Sequence, residues 1–148
     1  MHTLAKLGAA LSGALLLASA SGCVIVADGP FPGDFADSYA ALTWSTRDTW
    51  DNRTINCHTA GADTVRTIAS NLDTGEVFVD LFDCQDEEGI TAEISTGDYA
   101  FDAELVRCSD WSCNRAAVLD SVPVWDHLPI YGGGVYDLGH VVFMVDLR

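Results

Sequence analysis

Tyr99-Ala100-Phe101-Asp102-Ala103-Glu104-Leu105-Val106-Arg107 is the cleanest two-residue alternation in the chain. Tyr99, Phe101, Ala103 and Leu105 alternate with Ala100, Asp102 and Glu104, a period of two. Successive side chains of a strand point to opposite faces, so the run has one face in a core and the other in water. Thr96-Gly97-Asp98 supplies the turn that leads into it.

The same alternation recurs in the segments on either side of that strand. Tyr39–Ser45 alternates, with Leu42 and Trp44 on one face, and Trp44 reads as core. Arg47–Ala62 is polar and reads as a loop carrying Cys57. Val65–Leu72 fits a helical stripe through Val65, Ile68, Ala69 and Leu72, but β-branched Thr64, Val65, Thr67 and Ile68 favour a strand. Glu76–Cys84 is a Val/Phe-rich strand, Asp86–Gly89 a turn and Ile90–Ser95 a brief strand. Ala116–Trp125 is an edge candidate because of Pro123, Asp126–Gly134 is a loop, and Val135–Leu147 is the last strand. About seven short strands in roughly 110 residues, with turn signals every ~8–12 residues, indicate an all-β fold. The expectation for residues 39–148 is a single antiparallel two-sheet sandwich.

The segment Ile94–Leu105, with Gly97 before Tyr99, resembles a strand opening of transthyretin-like and carboxypeptidase-regulatory-like β-sandwiches. The resemblance implies an Ig-like or transthyretin-like sandwich and leaves function open. It also suggests a tyrosine corner, with the Tyr99 hydroxyl bonded to backbone.

The amino-terminal stretch has another logic. Met1–Lys6 carries one lysine and no acid, Leu7–Ala20 is almost entirely Leu, Ala, Gly and Ser, and Ala20-Ser21-Gly22 stands directly before Cys23. The apolar stretch is signal-peptide length and too short to span a bilayer comfortably. These residues resemble the lipobox of bacterial lipoproteins, departing from it at Ala20, where the family prefers Leu. The resemblance implies a signal peptide over 1–22, cleavage after Gly22, and lipid on the Cys23 sulfur with further acylation, including palmitate-type chains. Two or more acyl chains hold a protein at a membrane stably. Val24 after the cysteine suggests the outer membrane of a diderm envelope. Residues 23–38, with Gly29, Pro30, Pro32 and Gly33, read as the lipidated terminus and a flexible tether.

Removing Lys6 with the signal leaves six arginines against 22 acids, a formal charge of −16. That density argues against nucleic-acid phosphate and against direct docking on anionic lipid, so the lipid on Cys23 is the expected membrane contact. Four cysteines remain: Cys57, Cys84, Cys108 and Cys113. An even number in an exported chain reads as disulfides, and spacing favours Cys57–Cys84 and Cys108–Cys113 over the other two pairings. A zinc site of four thiolates is the competing reading; no pair has the two-residue spacing typical of one.

Residues that carry chemistry are sparse. His58, His127 and His140 have no paired spacing. The Asp80–Gly89 run holds five carboxylates but lacks the alternating spacing of a calcium loop. There is no Gly-x-Ser-x-Gly and no Ser-x-x-Lys. The expectation is therefore a non-catalytic module of the cell envelope, without cofactor or metal, that binds an envelope protein or glycan. Trp50 and Trp111, both in loops, are the candidate ligand contacts, Trp111 lying between Cys108 and Cys113. A structural or accessory subunit of an envelope complex and a calcium-stabilised module are the alternatives.

Overall fold

Strand β6 (Gly97–Cys108) buries Tyr99, Phe101, Ala103 and Leu105 and turns Ala100, Asp102 and Glu104 outward, as its alternation requires. It is the centre of one sheet in a computed structural model that describes residues 37–110 and 112–148. That sheet runs β4–β3–β6–β7, all antiparallel, with β3 at Thr64–Asn71, β4 at Val77–Asp83 and β7 at Ala116–Ile130. The second sheet is built on β1 (Ser38–Asp48). One edge of β1 pairs with β8 (Gly134–Val145); the other takes β5 (Glu88–Ile90) and the short β2 (Thr54–Ile55). The inner faces meet in one core, where Leu42, Trp44 and Phe143 pack with Val65, Tyr99, Phe101 and Leu105. The chain is thus the expected all-β, two-sheet sandwich.

One pairing departs from a purely antiparallel sandwich. β1 and β8 run parallel, from Ser38 opposite Gly134 to Asp48 opposite Val145. A parallel pair needs a long crossover, and here nearly the whole domain intervenes between the two strands. β8 also contains a bulge. The register slips between Ala41 and Thr43, Gly139 takes φ 88°, and Asp137 accepts a hydrogen bond from its amide. The extra residue shifts the phase, so Leu138 and then Val141, Phe143 and Val145 all face the core.

The Val65–Leu72 stretch is strand through Asn71, not helix, and Leu72 begins the turn that follows. The buried set in β3 is Val65, Thr67, Ala69 and Asn71, spaced by two, while Ile68 turns outward and Leu72 is exposed. Three expectations are corrected. The Arg47–Ala62 segment is not a plain loop: it holds β2 and a one-turn helix, α1 (Cys57–Ala60), capped by Asn56, whose side chain accepts from the Thr59 amide. The strand expected at Ile90–Ser95 lies earlier, at Glu88–Ile90, after a 3-10 turn over Cys84–Asp86. Glycine permits that placement, since Gly89 passes the Phe82 ring so closely that a Cβ would lie 2.7 Å from ring atoms. Thr91 then exchanges two bonds with Ala40 of β1 and Ile94 forms an isolated bridge to Ser38, in place of a ladder. Finally, Asp126–Ile130 belongs to β7, anchored by buried Ile130, and the turn shrinks to Tyr131–Gly133.

Tyr99 is fully buried, but its hydroxyl bonds the Ser95 hydroxyl at 2.8 Å, so the partner is a side chain four residues upstream and not backbone. Both expected disulfides are present, Cys57–Cys84 and Cys108–Cys113.

Candidate functional site

Strand direction sorts the connections to two ends of the sandwich. At one end β1 begins at Ser38, beside the Asn71–Glu76 turn, the approach to β6 and the Tyr131–Gly133 turn; the Gly134 amide donates to the Asp37 carbonyl. At the other lie the Asp48–Arg53 turn, α1, the 3-10 turn, the Cys108–Cys113 loop and the residues after Val145. The 11 residues of β1 separate the ends by about 35 Å at strand rise.

The second end is braced. Cys57 on α1 and buried Cys84 at the close of β4 tie the two sheets together, and the Trp44 indole N–H donates to the Cys84 carbonyl at 2.9 Å. Asp63 accepts from the Cys108 amide, and the Arg107 guanidinium donates to the Gly61 carbonyl. A groove of about 560 Å³ opens between these parts, lined in part by Leu81, Phe82, Asp83, Ser109 and Asp110. Its carboxylates already serve as backbone caps: Asp83 accepts from the Gln85 amide and Asp110 from the Asn114 amide.

Trp50 projects from the Asp48–Arg53 turn and is 73% exposed. The turn is held by bonds from the Trp50 amide to Asp48 Oδ1, the Arg53 amide to Asp51 Oδ1 and the Thr49 amide to the Val145 carbonyl, with Asn52 in the left-handed region at φ 55°. The Arg148 guanidinium lies over the indole, 3.7 Å from its centroid. Of the candidates named from sequence, Trp111, Cys23, the signal segment 1–22 and nearly all of the 23–38 tether lie outside the described residues. Trp50 and the four paired cysteines gather at one end.

Charge is sorted in the same way. Arg47, Arg53, Arg107, Arg115 and Arg148 all stand at the disulfide end, while Arg66 alone sits mid-sheet, paired with Glu104. Among the described residues the Ser38 end has acids and no arginine or lysine, including Asp37, Asp73, Glu93 and Asp98. A hydrogen bond with Asp37 and the charge of that carboxylate raise the Glu93 pKa from its ordinary value.

The histidines do not converge. His58 is on α1, His127 bonds Asp98 at 2.6 Å at the opposite end, and His140 lies on the outer face of β8. His140 has its Nε2 2.9 Å from Ser45 Oγ and its Nδ1 2.9 Å from Thr43 Oγ1, a contact that sequence gave no sign of. A hydroxyl thus stands where a nucleophilic triad has its carboxylate, and β1 is paired to β8 through Thr43–Ser45 at this point. Among the described residues no three metal-capable side chains cluster. The carboxylates of the Asp80–Gly89 run diverge, Asp80 accepting from the Ala92 amide and Asp83 capping the 3-10 turn.

No family model matches the chain, and no curated protein does. Among solved structures, a leucine-rich repeat protein from Bacteroides thetaiotaomicron is similar at 9% identity and a TM-score of 0.39. The match covers 75% of this chain and 14% of that protein.

Proposed function

We propose that this chain is a lipid-anchored, non-catalytic β-sandwich of the cell envelope that meets its partner through the disulfide-bearing end. The observation that carries the reading is the placement of the ends. Any anchor upstream of Asp37 enters the sandwich beside Ser38, so the disulfides, Trp50 and five arginines stand at the far end. Loops braced by disulfides lose little entropy on contact, and an exposed Trp beside arginines has the composition of interface anchors. The hydroxyl-for-carboxylate substitution around His140 is what favours binding over hydrolysis.

One observation favours an accessory-subunit reading instead. Val77, Val79 and Leu81 form an exposed apolar row on the outer face of β4, an edge strand. A test separates the two in intact envelopes of cells making the full-length chain. A photo-crosslinking residue at Asp86 or Ser109 is expected to capture envelope material, whereas one at Val79 or Thr74 is not. Changing Cys23→Ala is expected to release the chain from the membrane fraction. Adducts from Val79 alone, or a membrane-bound Cys23→Ala chain, refute the proposal.

A further inference from the structure

We infer that Trp50 is a stacking platform for a sugar ring of a neutral polysaccharide. The inference rests on the reading of the disulfide end as the contact surface and gives that surface a ligand class.

Three observations carry it. First, the indole is presented on a held turn: the Trp50, Arg53 and Thr49 amides donate to Asp48 Oδ1, Asp51 Oδ1 and the Val145 carbonyl, so little backbone order remains to be lost on binding. Second, Arg148 covers one face of the ring, yet Trp50 remains 73% exposed, which leaves the opposite face in water. A pyranose chair offers a flat patch of C–H groups that carries slight positive charge, the complement of the negative face of an aromatic ring. Third, the surroundings hold donors and acceptors in balance. The exposed charges beside the ring are Arg53 and Arg148 against Asp51 and Asp146, a net charge of zero on a strongly acidic body. Sugar hydroxyls both donate and accept, so they use guanidinium and carboxylate together. A polyanion needs an excess of cations, which this patch lacks, and it also meets repulsion from the rest of the molecule.

The test is affinity electrophoresis of the detergent-extracted full-length chain through gels containing β-glucan, xyloglucan, glucomannan, glycol chitin or dextran, with heparin as the polyanion control. At least one neutral gel is expected to retard the chain, and heparin is not. Trp50→Ala is expected to weaken that retardation by about tenfold in Kd, and Trp50→Phe by no more than about threefold, since a smaller ring still stacks. Unchanged melting of both variants keeps the readout on the contact. No retardation in any neutral gel, or equal retardation of Trp50→Ala, overturns the inference. If the gels fail while Asp86 crosslinks an envelope protein in a Trp50-dependent way, the glycan is wrong and the contact end stands. If the crosslinks fail as well, both readings fall.

Discussion

Removing the two disulfides separately, as Cys57→Ala/Cys84→Ala and Cys108→Ala/Cys113→Ala, separates a core brace from a local clip. The sequence separations are 27 and 5. Loop entropy alone makes the long bridge worth about 3.5 kcal/mol and the short one about 2. Cys84 is fully buried and Cys57 nearly so, both within the core cluster, so the first change also leaves a small void. A void of a methyl group or so adds about 1 kcal/mol. For a domain of roughly 110 residues each kcal/mol shifts Tm by about 4 °C, giving a loss of about 18 °C for the long bridge and about 8 °C for the short one. Thermal unfolding of the full-length variants by circular dichroism measures the Tm losses, and urea unfolding the free energies and m-values. The m-value is expected to rise more for the Cys57/Cys84 variant, whose unfolded chain gains more room. An equal loss from the two variants, or a greater one from the short clip, refutes the assignment of Cys57–Cys84 as the brace between sheets.

Gly89→Ala is expected to cost about 1–3 kcal/mol because its Cβ meets the Phe82 ring, and Phe82→Leu should recover part of the loss in a double-mutant cycle. Gly75→Ala, at φ +76° with nothing within 4 Å, pays only for its backbone conformation, about 1 kcal/mol, and shows no such coupling. Glu93→Gln is expected to raise Tm at neutral pH. The folded state raises the Glu93 pKa, so its contribution is fully favourable below the unfolded carboxylate pKa and is lost as pH rises through the folded value. The melting temperatures of the two proteins should therefore converge in acid, and a difference that persists or grows there contradicts the Asp37 contact.

What could be read from sequence follows from the range of the interactions involved. β6 was legible because its alternation is local and Tyr99, Phe101, Ala103 and Leu105 have nowhere to go but the core. β3 was legible only by its β-branched residues, since Val65 and Ala69 satisfy both a helical and a strand period. The disulfide pairing followed from spacing. The parallel β1–β8 pair was not legible, because Ser38 and Gly134 meet only through the packing of everything between them. Gly139 carried the one signal of the bulge, a glycine inside an apolar run, and its effect on phase emerges only when Leu138 and Val141 share a face. At the candidate site Trp50 stood out as an aromatic in a polar stretch. Arg148, 98 positions away, did not, nor did the gathering of Arg47, Arg53, Arg107, Arg115 and Arg148 from across the chain.

The treatment of the sheet edges bears on where a partner meets this sandwich. An unpaired edge is a template for another strand, and three edges here are blunted, each in its own way. On β7, Pro123 and Pro129 have no amide to donate. On β8, the Met144 amide is taken at 2.7 Å by Asp120 of β7. On β4, Asp80 shares the inward side with Phe78 and Phe82 and takes the Ala92 amide, so a strand added there would bring its own side chains against a carboxylate. The apolar row of Val77, Val79 and Leu81 is therefore open on its face but guarded at its edge. A strand added at that edge would meet the Asp80 carboxylate beside its bond to the Ala92 amide, whereas contact at the exposed Trp50 indole breaks none of the bonds that hold its turn. That difference is the physical reason for directing the proposed contact to the loops at the disulfide end.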